Sequence, residues 1–149
     1  MSLLQTARFD LPLLAVSQAQ KEVTHNEALV KIDALLHSVA EARLSSPPVL
    51  ADEHIGQCWL IGDAATGDWI GKSDQLAIWI GNDWRFISPA EGMNLRLKAP
   101  NSDAVFTRGN WIFAPTIVDP AGGAVIDVEA RRAIISLLDH LRTIGYVTR

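Results

Sequence analysis

The four histidines are the residues that could most readily bind a metal ion in this chain, and they lie far apart: His25, His37, His54 and His140. No two of them stand at a His-x-x-x-His or His-Glu-x-x-His spacing, which would put two ligands on one face of a helix. Glu27 follows His25 by two positions, so on a helix the two side chains point to different faces. The pattern predicts no metal site and no cofactor.

Carboxylates are the next candidates for chemistry, because a converging pair can hydrolyse a glycosidic bond. Those in the centre of the chain include Asp52, Glu53, Asp63, Asp68, Asp74, Asp83 and Glu91. They fall in predicted turns, where Asp is common for reasons of backbone geometry. The glycines form no phosphate loop or dinucleotide fingerprint, and no Gly-x-Ser-x-Gly elbow occurs. The sequence predicts a protein that is not an enzyme, with a glycan hydrolase as the weakest alternative.

The five tryptophans allow two interpretations. Large aromatic side chains mostly dominate cores, and Trp59, Trp79 and Trp84 occur in apolar runs. A tryptophan beside a turn can instead act as a platform for a sugar ring, with a neighbouring polar side chain that hydrogen-bonds the hydroxyls. The residues that fit this second interpretation are Trp69 with Asp68, and Trp111 with Asn110.

A long helix is predicted ahead of these residues, from about Ser17 to Val39, because Ser17 can cap it and no Gly or Pro interrupts it. An apolar row at spacings of three and four marks one face as an oligomer interface: Val23, Asn26, Leu29, Ile32 and Leu36. Its polar first half is a predicted attachment surface: Gln18, Gln20, Lys21, His25 and Glu27. The alternative is a helix that only packs on its own domain. Residues 1–16 are expected to form an extended arm against another surface.

The middle of the chain predicts a small, Trp-rich antiparallel β-meander, because short apolar runs alternate with Gly, Asn and Asp. Pro47 and Pro48 end the helical region, and the Pro/Gly-rich stretch 114–124 ends the β region. The predicted units are 1–46, 47–114 and 115–149. The predicted strands are 57–61, 69–70, 76–80, 84–87, 95–99, 104–106 and 111–113.

A second helix is predicted after Asp127, which can cap it, with Gly145 at its end. A coiled-coil-like apolar row runs along it: Ala130, Ile134, Leu137, Leu141 and Ile144. A helix this short needs a partner surface. That surface is either the β domain or the same helix of a neighbouring subunit, and the spacing alone leaves a dimer and a trimer equally open.

Composition narrows the classes of partner. The 149 residues carry a net charge of −4 and no cluster of Lys and Arg, which argues against a nucleic-acid surface. The single cysteine, Cys58, excludes an internal disulfide and lies in an apolar run. No stretch is long and apolar enough to predict a signal peptide or a membrane span.

Three stretches carry a resemblance to a known family: Ala19 to Leu29, the Trp-rich centre from Ala64 to Gly92, and Gly122 to Asp127 before the last helix. The chain resembles an uncharacterised domain family that is common in prophages and gene-transfer-agent clusters of alphaproteobacteria, within tail-fibre-like proteins. The resemblance implies a structural component that is made in the bacterial cytoplasm and resides in the tail of a virion or phage-like particle.

These observations together predict an α+β subunit with a helix at each end of the β domain, assembled as a homotrimer, with a dimer as the alternative. Its expected partners are itself, other tail or baseplate proteins and a glycan of the host cell surface. The alternative function is a carbohydrate-binding module.

Overall fold

The computed structural model describes residues 4–15, 21–123 and 127–148 and shows an α+β protein. Helix α1 spans Lys21–Leu35 and helix α2 spans Val128–Thr143, and two short 3-10 turns lie at Asp52–His54 and Gly67–Trp69. Seven strands lie between the helices: β1 Val39–Leu44, β2 Cys58–Ile61, β3 Leu76–Trp79, β4 Trp84–Ile87, β5 Asn94–Ala99, β6 Ser102–Thr107 and β7 Asn110–Phe113.

The strands form one mixed sheet in the order β4-β3-β2-β1-β5-β6-β7, which corrects the predicted simple antiparallel meander. Strand β1 lies in the centre and pairs in parallel with β2 on one side and β5 on the other. The outer strands form two antiparallel meanders, β2-β3-β4 and β5-β6-β7. Because β1 precedes residue 46, the first predicted unit supplies the central strand of the sheet.

The predicted end of the first helix at Val39 is wrong, since α1 ends at Leu35 and Val39 begins β1. The segment Val39–Leu44 consists largely of good helix formers, but two strand partners fix it as a strand. The predicted start near Ser17 lies outside the described residues.

Most of the other predicted strands are confirmed to within a few residues, as are both hairpins. The exception is the predicted strand at residues 69–70, where the chain forms a 3-10 turn. Helix α2 is confirmed together with its cap, because the Asp127 carboxylate accepts a hydrogen bond from the Ala130 amide at 2.8 Å.

The buried apolar residues form two clusters. Ala40 of β1 and Ala34 of α1 join the larger cluster, with side chains from both meanders: Cys58, Leu60, Leu76, Ile78, Leu95, Leu97, Ala104 and Trp111. The Trp111 Nε1–H donates to the carbonyl of Asp74 at 2.9 Å. Edge strand β7 thus reaches the β2–β3 connection, which shows that the sheet curves around this cluster.

The second cluster is built on tryptophan. The Trp84 ring lies 5.1 Å from the rings of Trp69 and Trp79 and 5.7 Å from that of Trp59, in tilted and edge-to-face arrangements. Such contacts stabilise a core beyond the area they bury. The interpretation as core residues is confirmed for Trp59 and Trp84, which are buried, while Trp79 is half-buried against the same cluster. Trp69 is buried as well.

The N-terminal arm folds back on α1 through a buried carboxylate. Asp33 of α1 accepts hydrogen bonds from the Thr6 hydroxyl at 2.7 Å and from the amides of Arg8 and Phe9 at 3.0 and 2.9 Å. The Arg8 guanidinium donates to the carbonyls of Asp33, Ala34 and His37 and so caps the end of α1. We call these contacts the arm latch.

Candidate functional site

The apolar row on α2 is largely exposed to solvent. Leu137, Ile134 and Ile144 are 59%, 46% and 38% exposed, Ala130 is exposed and Leu141 is half-buried. At about 100° per residue, the centre of the row is turned roughly 80° around the helix from Leu138, which is buried. Four of the five residues of the predicted seam are therefore exposed in the single chain, and Leu141 is covered in part.

Helix α2 is held by a different face, which the sequence analysis missed. Leu138 is buried and Ile135 is half-buried, and both lie between two half-buried arginines, Arg131 and Arg142. This inner face has only two apolar residues, because the positions on either side of them are charged, whereas the row has five. Spacing alone could not show which of the two stripes faces inward.

Two arginines fix the C-terminal end of α2. Arg96 of β5 donates to the carbonyl of Ile144 at 2.6 Å and pairs with Asp103 at 3.0 Å. Arg142 pairs with Asp119 at 2.7 Å and donates to the carbonyl of Ile117 at 2.6 Å. The hydrogen bond to Asp119 is the main contact that raises the pKa of the Arg142 guanidinium. These contacts tie α2 both to the sheet and to the preceding linker.

The predicted row on α1 is only partly uncovered. Val23, Ile32 and Leu36 are 54%, 46% and 52% exposed, whereas Leu29 is half-buried. The Asn26 side chain accepts from the amide of Leu14 at 2.9 Å and donates to its carbonyl at 3.0 Å. In the single chain Asn26 thus holds the arm, a role different from the register-setting role predicted for it.

The predicted attachment surface is described in part. Gln18 and Gln20 lie outside the described residues, as does the side chain of Lys21, whose backbone begins α1. His25 is exposed, and Glu27 lies 3.6 Å from Arg85 of β4.

The predicted glycan-contact residues do not form an open platform. Trp69 is fully buried and Trp111 is 6% exposed, so neither ring offers a face on which a sugar could stack. Their polar neighbours Asp68 and Asn110 are exposed. A tryptophan next to a turn in sequence is turned into the core here, which corrects the expectation that proximity to a turn implies exposure.

A groove of about 980 Å³ lies beside the end of α2. Its floor includes the outer face of β5-β6-β7, where Val105 is paired with Asn94 and with Ile112. Leu36 at the end of α1 and Tyr146 after α2 form its walls. Ile112 and Tyr146 are 53% and 60% exposed, so the lining is largely apolar and open. The sequence analysis did not identify this groove, because its residues come from separate elements.

Cys58 lies at a smaller pocket of about 280 Å³ but is itself buried. Burial raises the pKa of its thiol to about 12. At pH 8 the thiolate fraction in the folded protein is then on the order of 10⁻⁴, against roughly a quarter in an unfolded chain. We expect native protein to resist alkylation at pH 8 and to react after addition of denaturant. Rapid alkylation without unfolding would contradict the burial.

The same pKa predicts a loss of stability at alkaline pH. At pH values between the ordinary thiol pKa of about 8.5 and the pKa in the folded protein, Cys58 is ionised only in the unfolded state. The free energy of unfolding should therefore fall by about 1.4 kcal/mol per pH unit in this window and be unaffected by Cys58 below it. Urea titrations from pH 8 to 11 measure this slope, and Cys58→Ala is expected to remove that contribution from it.

Among the residues that the structure describes, no group of three His, Cys, Asp or Glu side chains could hold a metal ion. No helix in the described ranges is long and apolar enough to cross a lipid bilayer.

Residues 25–112 match a family described as "Protein of unknown function (DUF2793)". The chain belongs to this family. The DUF2793 region covers most of α1 and ends within β7, so it contains the Trp84 cluster and nearly all of the sheet. The arm and α2 lie outside it. No curated protein matches the chain.

Proposed function

We propose that the protein is a structural subunit of a phage tail or phage-derived particle, which assembles with copies of itself through the apolar row on α2. The observation that carries this proposal is the orientation of α2. Leu138 faces the body, while a second row at coiled-coil spacing, with Ile134 and Leu137 at its centre, faces solvent.

Physical chemistry supports association over permanent exposure. Full burial of a Leu or Ile side chain contributes about 1.5–3 kcal/mol, and soluble monomers rarely leave a contiguous apolar row uncovered. In the single chain, Leu137 and Ile134 are about half exposed, so roughly half of this free energy is still available from association. Val23, Ile32 and Leu36 on α1 add a second uncovered group, which we assign to contact with a neighbouring subunit or with another tail or baseplate protein.

The particle setting comes from the resemblance described for the sequence, and the homotrimer comes from that setting together with the two apolar rows. His25 and Glu27 of α1 are exposed and suited to docking on another particle protein, because exposed polar side chains can form hydrogen bonds across an interface. No enzymatic step is part of the proposal.

Light scattering in solution tests the proposal. A homotrimer has a mass of about 49 kDa, three times the 16.3 kDa of the chain. Leu137→Asp is expected to reduce the mass to that of a monomer, since it places a charge in the middle of the row. Ser136→Asp adds the same charge to an exposed position about 120° around the helix from the row and should leave the mass unchanged. A wild-type monomer at all accessible concentrations would overturn the proposal.

A further inference from the structure

We infer that the groove beside α2 accepts the α2 row of a second copy of this chain, which deepens and rests on the proposed function. Two large apolar surfaces are uncovered in the described structure and lie next to each other. The row ends at Ile144, and the groove begins at Tyr146, two residues further on.

The groove cannot be filled by the α2 row of its own chain. The body side of α2 is fixed by the burial of Leu138, by Arg96 on the Ile144 carbonyl and by the Asp103 amide on the Gly145 carbonyl at 2.9 Å. With these contacts made, the centre of the row is turned roughly 110° around the helix axis from the inner stripe of Arg131, Ile135, Leu138 and Arg142. A row that enters the groove must therefore come from another copy.

The available area matches what a stable interface needs. Seven large apolar residues of the row and the groove are 38–60% exposed: Ile134, Leu137, Ile144, Leu35, Leu36, Ile112 and Tyr146. At about 150–250 Å² for a large side chain, they leave on the order of 700 Å² uncovered per chain. A standard interface buries about 800 Å² per partner. Covering both surfaces on each chain would supply most of one such interface in a reciprocal dimer, and about half of it at each contact of a ring, before any polar rim is counted.

This contact differs from a seam of α2 against α2. A row in a groove joins two unlike surfaces, so copies can close into a ring or exchange rows in a reciprocal dimer. Each chain then has a donor surface and an acceptor surface that can be inactivated separately. In a seam of identical helices, by contrast, the groove plays no part.

The test uses full-length variants and sedimentation analysis. Ile112→Asp places a charge on the floor of the groove, in strand β7 and away from α2. We expect it to weaken assembly as strongly as Leu137→Asp. Asn110→Asp adds the same charge to an exposed position of the same strand outside the groove lining and should assemble like the wild type. Near-ultraviolet circular dichroism of the tryptophans verifies that each variant is folded.

Mixing the two defective variants is the decisive measurement. The Ile112→Asp chain keeps its row and the Leu137→Asp chain keeps its groove, so an equimolar mixture should form a 1:1 pair. Its dissociation constant should be at least tenfold lower than that for self-association of either variant. If the wild type assembles but Ile112→Asp behaves like Asn110→Asp, or if mixing restores nothing, the groove contact is wrong while the proposed assembly stands. A monomeric wild type overturns both.

Discussion

Asp33→Ala is expected to lower the free energy of unfolding by about 3 kcal/mol, because it removes three hydrogen bonds and leaves three donors of the arm without an acceptor. Asp33 and Thr6 are each 4% exposed, so water cannot readily replace the carboxylate in the folded protein. The amides of Arg8 and Phe9 lose the same acceptor. Urea unfolding followed by tryptophan fluorescence measures the change.

The control for this prediction is another carboxylate of the same helix. Glu27 is half exposed and lies 3.6 Å from Arg85, and Glu27→Ala should change the stability by less than about 0.5 kcal/mol. Hydrogen exchange separates release of the arm from global loss of stability: in Asp33→Ala the amides of Arg8 and Phe9 should exchange faster than those of β2. Equal stability of the two variants would show that the arm latch does not hold the arm.

The arm latch is a part of the fold that the sequence alone could not predict. Thr6 and Asp33 are 27 positions apart, and no local pattern links a threonine in an irregular segment to a carboxylate on a helix. A signal was present, because Asp33 interrupts the apolar half of the predicted helix between Ile32 and Ala34. A charge at that point predicts a buried partner, although it does not say which residue provides it.

Elements with local signals were predicted well. The cap at Asp127, the uninterrupted run after it and the stop at Gly145 all lie within or next to α2 and determine its ends. The short loop before Trp84 likewise determined the β3–β4 hairpin. In contrast, β1 owes its strand conformation to β2 and β5, which follow it in the sequence, so its own helix-favouring composition misled the prediction.

For the same reason, the sequence predicted only one part of the candidate site, the α2 row, and not the groove. Periodicity found the α2 row, because all of its residues lie on one helix. The groove needs α1, the outer face of three strands and Tyr146 to come together, and only the tertiary fold brings them there. Trp69 is the opposite case, because its neighbours in sequence suggested an exposed position and the fold buries it in the core.

The end of α2 is the point at which the proposed assembly depends most on a single backbone position. Gly145 has φ +81° and follows a helix end in which the Tyr146 amide donates to the Leu141 carbonyl at 2.9 Å. A β-carbon on Gly145 would overlap the guanidinium of Arg96, which also holds the Ile144 carbonyl. Gly145→Ala thus combines an unfavourable backbone conformation with displacement of the arginine that anchors the helix.

We expect Gly145→Ala to lower the free energy of unfolding by about 3 kcal/mol, of which the left-handed backbone accounts for about 1–2 kcal/mol. Gly109→Ala isolates the backbone contribution, because Gly109 has φ +78° and no atom near the position of the added carbon. Thermal and urea unfolding of both variants measure the difference. Equal losses would mean that Arg96 moves aside without cost.

A double-mutant cycle with Arg96→Ala tests whether the rest of the stability loss in Gly145→Ala comes from displacement of the Arg96 guanidinium. Without the guanidinium, Gly145→Ala should cost no more than Gly109→Ala does. If the assembly through α2 is correct, Gly145→Ala should also weaken self-association in the light-scattering measurement, because a displaced helix end misaligns the row, which ends at Ile144. Unchanged self-association in a destabilised Gly145→Ala variant would show that the row acts independently of this anchor.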